Sequence, residues 1–325
     1  MKLGKARFYH QLEKVNTLLL ESKNHENPPL WLLLNDLRTP MFMLESLSKM
    51  YTKFHNKAFF TELKERFKEI EDALGAIDHY AEFLREFHAN EKIPESIKSY
   101  MENKTREKIV SFNEILTKGG WNDGKTMAKI NEGLEIAKWQ EEEEEITNIE
   151  KYYHKQIEKI KEFIIETTFD FDNIEDDVHE LRRKLRWLSI YPRSFQGAIQ
   201  LHETKESATQ LKKYLTEETI SSPFNQLPES VNLGHRLFLE KNHFFALSWI
   251  IADLGKLKDK GLKITALKEA LQEIFFLKDA EAMNESYLIL GEEYPKMETL
   301  LQKSSLVSKA FFEEEILDKL VWGID

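Results

Sequence analysis

Apolar residues recur at intervals of three and four along most of the chain. The clearest stretches are FFTELKERFKEIEDALGAIDHYAEFLREF (59–87), NIEKYYHKQIEKIKEFIIETTF (148–169) and ITALKEALQEIFFLKDAEAM (264–283). That is the period of an amphipathic helix, and no run of comparable length alternates with period two. An all-α fold is predicted. Breakers divide it: NHENPPLW (24–31), HANEKIPES (88–96), TKGGWNDGKT (117–126), TTFDFDN (167–173) and the one long loop of the second half, SSPFNQLPESVNLG (221–234). The run of five glutamates at 141–145 falls inside a predicted long helix and reads as a solvated face.

The pattern repeats. Sliding DDVHELRRKLRWLSIYPRSFQ (176–196) back by 144 positions lays it on LNDLRTPMFMLESLSKMY. Val178, Leu181, Leu185 and Leu188 then fall on Leu34, Leu37, Met41 and Leu44, Arg182 on Arg38 and Arg193 on Lys49. His179 falls on Asn35 and Arg186 on Phe42. Downstream, IEDALGAID ending at Asp78 matches LQEIFFLKD ending at Asp279 at an offset of 201, so the second half holds about 57 extra residues, placed between HETKES and VNLGHR. The expected organisation is two related antiparallel helical bundles, 1–166 and 167–325, packed side by side.

Composition narrows the classes. The chain has 325 residues, is 41% hydrophobic, contains no cysteine and carries a formal charge of -11. Disulfides, thiolate metal sites and a cysteine nucleophile are excluded. The negative balance argues against a general nucleic-acid binder. LWLLL and FFALSWIIA are too short to span a bilayer, and the opening stretch lacks the features of a signal peptide, so a cytoplasmic protein without a membrane partner is expected.

Against that balance, residues 176–196 are locally basic. At 100° per residue Val178, Leu181, Leu185 and Leu188 form one apolar stripe. His179, Arg182, Arg186 and Arg193 cluster about 110° round the helix, on the shoulder of that stripe, with Arg183 in the same run. Pro192 is expected to end or kink the helix near Tyr191. Arginines on a shoulder can aim planar donor forks at phosphate oxygens. They can equally balance the upstream acids Asp170, Asp172, Glu175, Asp176 and Asp177 along the helix dipole, with stems that cover apolar surface.

H-E-L-R-R-K-L-R, with His179 followed by Arg182 at +3 and Arg186 at +7, resembles the signature of the CHAD domain, the conserved histidine α-helical domain. LGAID (74–78) and FLKDAE (276–281) resemble that family's later segments, and the likeness covers roughly residues 5–320. The resemblance implies a non-enzymatic module that binds inorganic polyphosphate or a similar polyanion on a basic surface between the halves. Arg38, Lys49, His179, Arg182, Arg183, Arg186 and Arg193 are then the candidate contacts. The chain departs from the pattern at Asn35, Phe42 and Ile77, where histidine or basic residues are expected. The alternative expectation is a structural or protein-interaction scaffold that keeps the fold without the basic ligand surface.

Other chemistry is less well served. Glu240 with His243, and Asp176 with His179, have the spacing of a carboxylate–histidine pair, but such pairs are ordinarily surface hydrogen bonds and the further glutamates of a metal site cannot be assigned. GGWNDGKT lacks the glycine spacing of a phosphate loop, and no serine-nucleophile elbow is present. The remaining histidines read as packed or surface side chains, and no cofactor is expected.

Overall fold

The computed structural model describes residues 2–229 and 233–324. Helices account for 74% of the chain, so the all-α expectation holds at that level. The chain falls into two compact units, each built from two segments: residues 1–139 with 263–294, and 140–262 with 295–325.

The first unit opens with α1 (Leu3–Ser22), whose Phe8, Leu12, Val15 and Leu19 are buried on one face. Next comes α2 (Pro28–Leu34), where two prolines occupy the first turn and the Asn27 side chain accepts from the Leu30 N–H at 3.2 Å. The packing centre of the unit is α3 (Arg38–Tyr51) against the long α4 (Lys57–His88). Phe60, Leu63, Phe67, Ile70, Leu74 and Ile77 form the buried stripe of α4. α5 (Glu95–Lys118) packs on α4, and α6 (Lys125–Ile136) on α1. Phe8, Tyr51, Phe60 and Trp139 pack tilted or edge-on, with ring centroids within 6 Å of one another. Gly4 admits that cluster, because a Cβ there would stand 2.4 Å from the Tyr51 hydroxyl.

The second unit begins with α7 (Glu142–Thr167), buried along Ile146, Ile149, Tyr153, Ile157, Ile160 and Ile164. Four of the five glutamates, Glu142 to Glu145, form its first turn and Glu141 stands at its N-cap, where the helix dipole favours acids. They are not a uniformly solvated face: Glu145 is buried and Glu142 accepts from the His235 N–H at 2.7 Å. A π-helical turn at Ile174–His179, capped by the Asn173 side chain, leads into α8 (Glu180–Ser194).

Pro192 lies inside α8 and does not end it. Proline lacks the N–H that would bond to the carbonyl four residues back. The Tyr153 hydroxyl, reaching across from α7, donates to that Leu188 carbonyl instead, and the helix runs on to Ser194.

Three short strands lie beyond the all-helical expectation: β1 (Ile199–His202), β2 (Leu237–Glu240) and β3 (Val321–Ile324). They form one sheet in that order, β1 parallel and β3 antiparallel to β2, with a bulge at Phe238/Leu239. Four-residue strands are too short to show an alternation in sequence. Between β1 and β2 run the short α9 (Lys205–Gln210) and α10 (Glu217–Ile220). Of the loop expected at 221–234, residues 230–232 lie outside the described residues. α11 (Lys241–Phe275) leaves β2 in the second unit and continues into the segment counted with the first. α12 (Asp279–Leu290) belongs to the first unit and α13 (Met297–Glu313) to the second.

These units differ from the halves 1–166 and 167–325 drawn on the sequence. α7 packs on α8, through Tyr153–Leu188 and Tyr152–Tyr191, so it belongs with the second unit. Glu269 accepts from the hydroxyls of both Tyr80 and Tyr100, which ties 263–294 to α4 and α5.

Candidate functional site

Arg38 begins α3, and its guanidinium is committed inside the first unit. Nε donates to Glu71 at 2.8 Å and Nη1 to Asp78 at 3.0 Å, while the cation lies 5.5 Å from the Phe42 ring centroid. α4 can approach because residue 75 is glycine: a Cβ there would stand 2.7 Å from Arg38 Nη2. Farther along α3, Lys49 Nζ lies 3.7 Å from the buried Glu45 carboxylate. Burial pushes the Glu45 carboxyl up to about 7; Lys49 opposes this and the neighbouring Glu71 adds to it.

The other five candidates lie on the π-turn and α8 of the second unit. Arg182 Nε donates to the Ile251 carbonyl at 3.1 Å. A Cβ at residue 255 of α11 would stand 3.0 Å from that same Nε, so a glycine is again what admits the arginine. Among the described residues no carboxylate comes within ion-pair distance of Arg182; burial lowers its pKa and the more distant Asp259 opposes the shift. Arg183 pairs with Glu180, which also takes Lys184 at 3.1 Å. His179 Nδ1 lies 2.9 Å from Glu175. Arg193 stands 5.2 Å over the Phe224 ring. Arg186 is half-buried on α8, and its carbonyl accepts from Ser189.

Helical spacing alone did not mark Glu71 and Asp78, which reach Arg38 from α4; Glu45, Glu175 and Glu180 stand three or four residues from the cations they engage. The later segment of the second half also falls elsewhere. Residues 276–281 lead into α12, where Asp279 pairs with Lys268 in the first unit. Arg182 meets the Ile251 carbonyl and Gly255 of α11 instead. The recurring Leu-Gly pair, at 74–75 and 254–255, was the legible signal.

Glu240 and His243 prove to be buried, not a surface pair. The Glu240 carboxylate accepts from the His243 N–H and ring, from the Thr204 N–H and hydroxyl, and from Ser207 at 2.6 Å. Burial raises its pKa, but these donors outweigh burial and hold it down to about 2. The group clamps the end of β2 to the starts of α9 and α11.

Among the described residues no three histidine or carboxylate side chains are grouped to hold a metal ion, and no helix is long and apolar enough to cross a membrane. No protein-family model, curated protein or solved structure matches the chain.

Proposed function

We propose that this chain is a non-enzymatic, CHAD-like scaffold that has kept its arginine positions for internal packing. One observation carries the reading. The two arginines aligned by the 144-residue offset, Arg38 and Arg182, each lie over a glycine of a facing helix and each donate to an internal acceptor. That shared arrangement supports an internal repeat relating α3–α4 to α8–α11. It also supports loss of the phosphate role, because a polyanion is held by summing many uncommitted cations. Arg38, Lys49, His179 and Arg183 are all engaged by carboxylates.

The second reading, retained binding of inorganic polyphosphate or a similar polyanion, is favoured by Arg182 alone. Its Nη groups have no protein acceptor among the described residues, and a desolvated guanidinium is a strong anion donor. Titration with long-chain polyphosphate at rising salt separates the two. The scaffold reading expects no binding at low salt, where electrostatic contacts are strongest. Tight, salt-sensitive binding that is lost in an Arg182→Ala/Arg186→Ala variant overturns it.

A further inference from the structure

The small sheet of the second unit ends in an edge strand, β3, which α7 also packs against. β3 pairs with β2 on one side only. Among the described residues no backbone or side-chain group bonds to the N–H and C=O groups that Val321–Ile324 turn outward. Edge strands are ordinarily blunted by lysine, proline or a covering segment. β3 reads Val-Trp-Gly-Ile, with neither charge nor proline; the bulge in the β2 pairing is its one irregularity.

An aromatic cluster runs over one face of the sheet, from β3 back across β2 to β1. The Trp322 ring stacks on His202 of β1, with centroids 4.6 Å apart and planes at 24°, and Phe238 of β2 meets the same imidazole edge-on. Trp322 is 56% exposed and Ile324 39%. Between them Gly323 has φ +142°, a backbone conformation that itself calls for glycine, and a Cβ there would meet nothing within 4 Å, so the space beside the strand is open.

We infer that the free edge of β3 docks an extended peptide segment of a partner protein, added as a fourth strand with alternate apolar side chains beside the exposed Trp322 and Ile324. This inference rests on the scaffold reading and names the class of partner. A row of backbone donors and acceptors is complementary to extended backbone and to little else. A second copy of the chain is the poorer fit. Two chains of charge -11 repel, whereas a peptide segment can carry the opposite sign. The same charge favours a segment flanked by lysine or arginine.

The test is selection of random displayed dodecapeptides on the full chain, with hydrogen–deuterium exchange then measured in the presence of the enriched peptide. The expected result is enrichment of sequences with apolar residues at alternate positions, and slowed exchange at 321–324. A Trp322→Lys/Ile324→Lys variant is expected to bind at least tenfold more weakly, while Leu306→Lys, at an exposed apolar position of α13, binds unchanged. Should the double variant melt early, slowed exchange in the unaltered chain decides. No enrichment over bare support, protection elsewhere, or protection of 321–324 that rises with chain concentration in the absence of peptide overturns the inference. Any of these leaves the scaffold reading standing. Salt-sensitive polyphosphate binding overturns that reading whatever happens at β3.

Discussion

Glu45 is a buried carboxyl whose nearest cation is 3.7 Å away, too long for a hydrogen bond. Its carboxyl, pushed up to about 7, binds a proton more tightly in the folded chain than in the unfolded one. The stability it contributes is therefore full below the ordinary carboxylate range and lost as pH rises through 7. Glu45→Gln is expected to raise stability at pH 8 by about 1–2 kcal/mol and to flatten the pH dependence between 5 and 7, as read by urea unfolding across that range. The Tyr153 hydroxyl is a second decisive atom. Removing it in Tyr153→Phe leaves a buried carbonyl unsatisfied, at a cost of about 1–3 kcal/mol. Pro192→Ala restores the missing N–H, so the double variant is expected to recover most of that loss. Additive losses in thermal melts would dismiss the compensation.

At the scale of elements, short polar segments do the joining. The Glu240 carboxylate ties β2, α9 and α11 together, and its ionised form is the one the surrounding donors hold. Because its pKa is held down to about 2, the stability it contributes is present above the unfolded carboxylate value and lost as pH falls toward 2. Glu240→Ala is expected to cost about 3–5 kcal/mol at pH 7, as befits a buried partner left alone. Below pH 3 the difference from the unaltered chain should shrink in chemical denaturation. The glycines at 75 and 255 act at the same scale. Glycine inside a helix ordinarily costs about 0.5–1 kcal/mol relative to alanine, and here it is retained where an arginine crosses the helix surface.

For the whole molecule, chain order and compact units do not coincide. Each unit draws on two stretches, and the first is completed by residues 263–294. A fragment ending at residue 166, where the sequence repeat places the boundary, lacks Glu269 and carries α7 without α8. It is expected to give poorly dispersed amide spectra. A fragment of 1–139 joined by a flexible linker to 263–294 is expected to give dispersed ones. The reverse outcome would restore the boundary drawn on the sequence.

The period of the apolar residues determined most of this protein by itself. Helix type depends on which residues share a face, and α4 and α7 were legible in the spacing of their phenylalanines, isoleucines and leucines, whereas the single run read at 264–283 is the end of α11, a break at 276–278 and the start of α12. The arginine pair at an offset of 144 was legible too, because side-chain type and spacing survive in the sequence. Only the tertiary structure decided what those arginines touch. Glu71, Asp78 and the Ile251 carbonyl come from residues 33 to 69 positions away, and nothing local marks them as partners. The sheet was hidden for the same reason: a four-residue strand has no period of its own and forms because β1, β2 and β3 meet across more than a hundred residues. Local pattern sets which surfaces are apolar. Which surfaces meet, and which cations are left for a ligand, depends on contacts distant in the chain.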